Sequence, residues 1–297
     1  MTSHKILCPI DFSPGSQQAM RMAIRLANEA DAELVLGHAW YVPPVAFSGE
    51  HVFAPAVMQE LNAGAQEALD HAVREAKELG AKRLSSWLLA GMPRHEIIKL
   101  LEHDPAFDLV VMGTHGRTGL GRILLGSIAE SIVRHAPCSV LAVRPDAELK
   151  PFARVLCPVD LAESSEHAVE LAAALVQPGS EGITLLHVIE PPPVYGHAKQ
   201  TLDFIRDLDR YSTEHLATWA ARLEGKAPAP VAKRSRVGHP GAEILRVLDE
   251  GPAFDLVVMG SHSRTGIERM LLGSVAEKVV RHARCPVLIA RRRTEPR

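Results

Sequence analysis

The chain is written twice. The segment FDLVVMGTHGRTGLGRILLGSIAESIVRHAPCSVLAVR, from Phe107 to Arg144, returns from Phe254 to Arg291 as FDLVVMGSHSRTGIERMLLGSVAEKVVRHARCPVLIAR. The match extends well beyond it. HKILCPIDFSPGSQQAMRMAIRLA from His4 pairs with ARVLCPVDLAESSEHAVELAAALV from Ala153, and ELVLGHAW from Glu33 pairs with GITLLHVI from Gly182. LLAGMPRHEIIKLLEHDPAFD from Leu88 pairs with SRVGHPGAEILRVLDEGPAFD from Ser235. A length of 297 residues carries a prior of about two domains, and the repeat makes that specific: domain 1 over 1–146 and domain 2 over 152–293. Domains joined by so short a linker are expected to pack on each other.

Within each half, short apolar runs alternate with stretches of helical period. KILCPI reads as a buried strand ended by Asp11, and Ser13-Pro14 as an N-cap with proline at the first helical position, opening a helix to about Ala30. LVLGHAW is a second strand. A long helix follows, with apolar Val57, Leu61, Ala65, Ala68, Ala72 and Ala76 at three- and four-residue spacing. RLSSWLLAG is a third strand, with a helix around Ile97 to Leu101 behind it. LVVMG, apolar on all sides, suits a central parallel strand, and CSVLAV is a fifth strand after one more helix. This alternation predicts an α/β fold: two tandem five-stranded parallel open sheets, Rossmann-like, with helices on both faces.

The stretch between LVVMG and the fourth helix carries the chemistry. In half 1 it runs from Gly113 to Gly126-Ser127, with glycines also at 116, 119 and 121. Glycine admits positive φ and lets backbone N–H groups approach a ligand, and a helix N-terminus offers unpaired donors and a favourable dipole. The combination suits an anion, most simply nucleotide phosphates, with Arg117 and Arg264 as clamps. A second reading stays beside it: Ser127-x-x-Glu130 and Ser274-x-x-Glu277 have capping-box spacing and only start a helix, and the glycines only make a turn. Asp11 and Asp160 each end the first strand of their half. If strands 1 and 4 are neighbours, these carboxylates share a crevice with the glycine loop, at the carboxyl ends where doubly wound sheets bind ligands. The G-x-x-x-x-G-K-[ST] loop is absent, and no G-x-G-x-x-G follows the first strand, which excludes the common NTPase and dinucleotide patterns.

Composition narrows the partners. A formal net charge of −2 and an aromatic content of 4% argue against nucleic acid, which calls for basic surfaces and stacking platforms. No apolar stretch approaches the roughly 18 residues of a membrane span, and MTSHKILCPIDFS does not read as a signal peptide, so a soluble cytoplasmic protein is expected. Four cysteines follow the repeat, Cys8 with Cys157 and Cys138 with Cys285, without C-x-x-C spacing. They read as buried thiols in a reducing compartment, and no metal site is expected. His38, His187, His135 and His282 also repeat and read as structural.

With these residues in place the chain resembles the universal stress protein family over almost its whole length. Nucleotide-binding members carry G-2x-G-9x-G-[ST] after strand 4 and an aspartate after strand 1. Half 1 matches with Gly113, Gly116, Gly126, Ser127 and Asp11, and the doubled arrangement is similar to the tandem members. The resemblance implies strand order 3-2-1-4-5 and ATP, with Mg as a candidate companion, bound between strands 1 and 4. By position, Pro9, Ile10, Asp11 and Ala39 would touch the adenosine part. Met112, Gly113, His115, Gly116, Arg117, Gly126, Ser127 and Ile128 would line ribose and phosphates. The same positions in half 2 are Pro158, Val159, Asp160 and Val188, then Met259, Gly260, His262, Arg264, Gly273, Ser274 and Val275. Half 2 departs from the pattern, with Ser263 for Gly116 and Glu268 for Gly121, which puts its nucleotide affinity in doubt. The fifth strands of such domains commonly pair, which here implies an intramolecular pseudo-dimer, with a homodimer as the other arrangement.

Three functions are compatible with this reading. The first is a cytoplasmic ATP-binding stress-response protein whose nucleotide state alters its contacts with a protein partner. The second is a slow ATP hydrolase or nucleotidyl-transferring enzyme using the loop histidines; the H-x-G-H and S-G-G-x-D-S strings of related transferases are absent. The third is a nucleotide-free interaction scaffold, against which the intact half 1 motif argues.

Overall fold

Ser13-Pro14 starts a helix, as its chemistry dictates. In the computed structural model of the chain, which describes residues 4–41, 55–114, 125–162, 165–191, 198–261 and 272–293, the Ser13 hydroxyl accepts the Ser16 N–H at 3.2 Å. Pro14 then supplies a first helical residue that needs no donor. Helix α1 (Pro14–Ala30) follows strand β1 (Lys5–Pro9) and ends at Asp31 in the left-handed conformation. The N-terminal half continues with β2 (Glu33–Trp40), α2 (Pro55–Glu78), β3 (Leu84–Ala90), α3 (Pro93–His103), β4 (Phe107–Gly113), α4 (Ser127–His135) and β5 (Ser139–Val143). The C-terminal half runs β6 (Arg154–Val159), α5 (Glu166–Leu175), β7 (Gly182–Ile189), α6 (Ala198–Leu223), β8 (Val231–Val237), α7 (Pro240–Asp249), β9 (Leu256–Gly260), α8 (Ser274–His282) and β10 (Val287–Ala290).

Two units result, one of Thr2–Ala147 with Arg292–Arg297 and one containing Glu148–Arg291. The strand order in the first is β3-β2-β1-β4-β5 and in the second β8-β7-β6-β9-β10, with parallel pairs throughout. Both are the expected 3-2-1-4-5 order. From β1 the chain steps outward to β2 and β3, then crosses back to β4 and continues to β5. Right-handed crossovers therefore put α1 and α2 on one face and α3 and α4 on the other. The contacts agree, α1 touching α2 and α3 touching α4. The switch point lies between β1 and β4, and between β6 and β9.

The central strands are apolar because both their faces are covered. Leu109, Val110 and Val111 of β4 and Leu256, Val257 and Val258 of β9 are buried, each contributing roughly 1.5–3 kcal/mol. The stripe on α2 is only half used: Leu69, Ala72 and Ala76 are buried, whereas Val57 and Leu61 at its start are exposed. Among the described residues no helix is long and apolar enough to cross a membrane.

One ion pair ties β1 to the segment before β4. Lys5 Nζ donates to Asp104 Oδ2 at 2.8 Å and lies 4.7 Å from the ring centroids of both Trp87 and Phe107. Burial alone would raise the Asp104 carboxyl. The hydrogen bonds from Lys5 and the Ala106 N–H, with the charges of Lys5 and Arg293, outweigh it and hold the group below its ordinary value. A carboxylate lowered on folding stabilises above its unfolded value of about 3.9 and loses that contribution as pH falls through the folded one. Asp104→Asn should therefore melt below the wild type at pH 7, with the gap closing as pH drops below about 4. A gap constant with pH in thermal melts would remove the ion pair as its source.

Candidate functional site

β1 delivers Asp11 to the carboxyl end of the sheet, and the next residue turns the chain sharply. Phe12 has φ 64° and its counterpart Leu161 has φ 62°, a conformation that costs bulky residues on the order of 1–3 kcal/mol. The turn is held by the carboxylate itself. Asp11 Oδ1 accepts the Ser13 N–H at 3.1 Å and the Ser13 hydroxyl at 2.6 Å. In the C-terminal unit Ala162 stands where Ser13 does, so one hydroxyl is missing. Ser165, the counterpart of Ser16, supplies it: its Oγ donates to Asp160 Oδ1 at 2.6 Å, alongside the Ala162 N–H at 3.1 Å. The other oxygen, Asp160 Oδ2, is buried and has no hydrogen-bond partner among the described residues.

β2 and β7 fix the side of the crevice. His38 Nδ1 sits 2.8 Å from the Ile10 carbonyl and His187 Nδ1 2.8 Å from the Val159 carbonyl; each ring donates to the backbone immediately before the aspartate. His135 and His282 close the last turns of α4 and α8 onto the carbonyls of Ser131 and Lys278. All four histidines have the structural bonds expected of a repeated architecture.

Across the switch point, the Gly126 N–H donates to the Thr114 carbonyl at 2.8 Å and the Gly273 N–H to the Ser261 carbonyl at 2.9 Å, pinning together the two ends of each glycine-bearing segment. The segments themselves, with His115, Gly116, Arg117, His262 and Arg264, lie outside the described residues. Here the capping-box reading needs correction. Gly126 (φ −61°, ψ 144°) and Gly273 (φ −62°, ψ 145°) are the N-caps and form no side-chain cap bond. Ser127 and Ser274 are already the first helical residues. Glu130 and Glu277 pair instead with Arg134 at 3.2 Å and Arg281 at 3.0 Å. The first N–H groups of α4 and α8 are thus left without a side-chain cap where they face the crevice.

The remaining expected residues converge. Pro9, Ile10, Asp11, Ala39, Met112, Gly113, Gly126, Ser127 and Ile128 line one crevice of about 460 Å³. Pro158, Val159, Asp160, Val188, Met259, Gly260, Gly273, Ser274 and Val275 line its counterpart, of about 150 Å³. Sequence reasoning missed Trp40, Tyr41, Pro93 and Ile97 on the first crevice and Pro240 and Ile244 on the second. A signal existed in the repeated G-x-P that opens α3 and α7. Gly91 (φ 144°) and Gly238 (φ 150°) take a backbone conformation closed to other residues, and the prolines that follow begin helices that pack beside the crevice.

Cys8, Cys138 and Cys157 belong to the core, whereas Cys285, expected to be buried with them, is partly exposed. Burial pushes the Cys8 thiol far up and the Cys157 thiol up to about 12; both are fully buried in β1 and β6. Native protein at pH 8 should take up iodoacetamide first at Cys285, the partly exposed one, while Cys8 and Cys157 react only after denaturation. Early alkylation of Cys8 by peptide mapping would contradict that burial. No cluster of three metal-ligating side chains occurs among the described residues.

A ligand crevice at the carboxyl edge of an open parallel sheet, with a helix N-terminus on one wall, places each unit among the doubly wound α/β proteins. The model of the universal stress protein family matches residues 2–144 and again 151–291, and the chain belongs to that family. It is 33% identical over 231 residues to a universal stress protein of Mycobacterium tuberculosis H37Rv, covering 74% of this chain and 75% of that one. It is 29% identical over 306 residues to one of Mycolicibacterium smegmatis, covering 98% of each. The solved structure of a universal stress protein from Archaeoglobus fulgidus superposes with a TM-score of 0.69 at 23% identity, over 99% of this chain and 98% of that chain.

Proposed function

We propose that the N-terminal crevice binds ATP and that the protein is a cytoplasmic stress-response regulator whose nucleotide state alters its contacts with a protein partner. The observation that carries this reading is the meeting of Asp11 with a helix N-terminus that lacks a side-chain cap, across a crevice of about 460 Å³, a volume within the roughly 300–1,000 Å³ typical of ligand sites. The residues fit the ligand. Asp11 and the walls from β1 and β2 suit a base and ribose, and the N–H groups of Ser127 and Ile128 suit phosphate oxygens. Bound magnesium would be held chiefly by those phosphates.

Nucleotide extracted from purified protein and separated chromatographically should contain ATP, and calorimetry should find a site for it. Both candidate general bases of the described crevice are engaged, Asp11 by the Ser13 N–H and hydroxyl and His38 by the Ile10 carbonyl, so hydrolysis should run far below the roughly 1–10³ s⁻¹ of enzymes. Failure to bind ATP would favour the scaffold reading, and rapid turnover the hydrolase.

A further inference from the structure

Helices α5 and α6 leave a groove of about 430 Å³ between them. It shares no lining residue with either crevice at the carboxyl ends of the strands. We propose that this groove is a separate binding site for a small planar aromatic carboxylate. The inference is independent of what the N-terminal crevice holds.

Residue spacing builds the groove. On α5, Glu166, Val169 and Glu170 stand three and four positions apart and therefore share one face. On α6, Trp219 and Leu223 stand four apart, with Arg222 beside them. Val169 and Leu223 are buried and give the groove an apolar floor. Trp219 lines it half-buried. Aromatic residues make up only 4% of the chain, so an indole set in a groove of this kind is a specific feature rather than background. It offers a face on which a flat ring stacks, and the volume lies within the roughly 300–1,000 Å³ of ligand sites.

The rim charges choose the sign of the ligand. Glu166 pairs across the groove with Arg222 at 3.6 Å, and Glu170 lies 3.5 Å from His167 Nδ1. Lys226, in the turn after α6, lines the same groove and has no ion pair among the described residues. A ring resting on Trp219 thus meets one uncommitted charge, and that charge is positive. A carboxylate on the ring matches it, and an amine does not. The N-terminal unit shows the groove without this chemistry. Its counterpart between α1 and α2, of about 310 Å³, takes Ala68 and Ala72 from α2, and its ionisable linings are His71 and Glu75, with no lysine or arginine.

The test is calorimetric titration of the full chain with 2-naphthoate, which should bind one equivalent. The uncharged 2-naphthamide should bind roughly fivefold more weakly, as befits an ion pair at an exposed rim. Lys226→Gln should weaken 2-naphthoate by the same factor and leave 2-naphthamide unmoved. Trp219→Ala should weaken both by at least roughly tenfold, and saturating ATP should displace neither. No binding of 2-naphthoate, equal affinity for acid and amide, indifference to Lys226→Gln, or displacement by ATP would each overturn the proposal. Should Trp219→Ala lose its fold, Trp219→Phe keeps a ring, and Lys226→Gln, at an exposed position, decides the charge by itself. A homodimer that Trp219→Ala splits, with no 2-naphthoate bound by the wild type, would give the groove to a second copy and overturn the proposal. Failure to bind ATP defeats the reading of the N-terminal crevice and leaves this one standing.

Discussion

Gly126→Val should weaken ATP binding by at least roughly a hundredfold, about 2.7 kcal/mol, in a protein that keeps its helices. The structure separates the two effects. Gly126 has φ −61° and ψ 144°, extended backbone in which valine is at ease. Its N–H bond to Thr114 and its carbonyl bond from Glu130 are main-chain bonds that a side chain does not remove. The fold therefore loses little. The isopropyl group, however, stands at the head of α4 on the crevice wall, where the proposed reading has phosphate oxygens approach the N–H groups within hydrogen-bond reach. Titration calorimetry with ATP, alongside far-ultraviolet circular dichroism, decides it. Wild-type affinity in a folded Gly126→Val protein would mean that the helix head is not where the phosphates sit.

What the sequence made legible follows from range. Elements set by neighbours were readable: Ser13-Pro14 starts α1 because the cap and the proline act within one turn, and the repeat fixed five apolar runs per half, whereas the strand order came only with the family resemblance. Features that depend on distant chain were not. The period of α2 marks Val57 and Leu61 as one face, but nothing local tells whether another element covers that face, and here none of the described ones does. The S-x-x-E spacing at Ser127 reads equally as a capping box or as a first helical turn one residue on; the extended ψ of Gly126 decides for the second. Trp40, Pro93 and Ile97 reach the crevice from β2 and α3, so no motif around the glycines could include them. The left-handed Phe12 and Leu161 were invisible for a different reason. Asparagine or glycine advertises such a turn, whereas a bulky residue held there by the aspartate before it does not.

Gly113 shows how a correct pattern can conceal a second cause. The spacing marks it as a phosphate-loop glycine, and it does line the crevice. Yet a Cβ built there would lie 2.7 Å from the Gly15 carbonyl carbon, 2.8 Å from its oxygen and 3.0 Å from the Ser16 nitrogen. The neighbours are main-chain atoms of the first turn of α1, which have no rotamer to escape into. Gly113→Ala must therefore push α1 away from β4, an overpacking strain of roughly 2–3 kcal/mol. For a unit of this size that is a fall in Tm of roughly 4–10 °C. The same displacement reaches the ligand, because Ser13 at the start of α1 is bonded to Asp11 at 2.6 Å; moving the turn swings the carboxylate and weakens ATP binding as well. The two glycines thus predict opposite signatures. Gly126→Val loses affinity at nearly constant Tm, whereas Gly113→Ala loses both together. Thermal melts with and without ATP on the two variants distinguish them, and a Gly113→Ala protein melting with the wild type would show that α1 does not press on the end of β4.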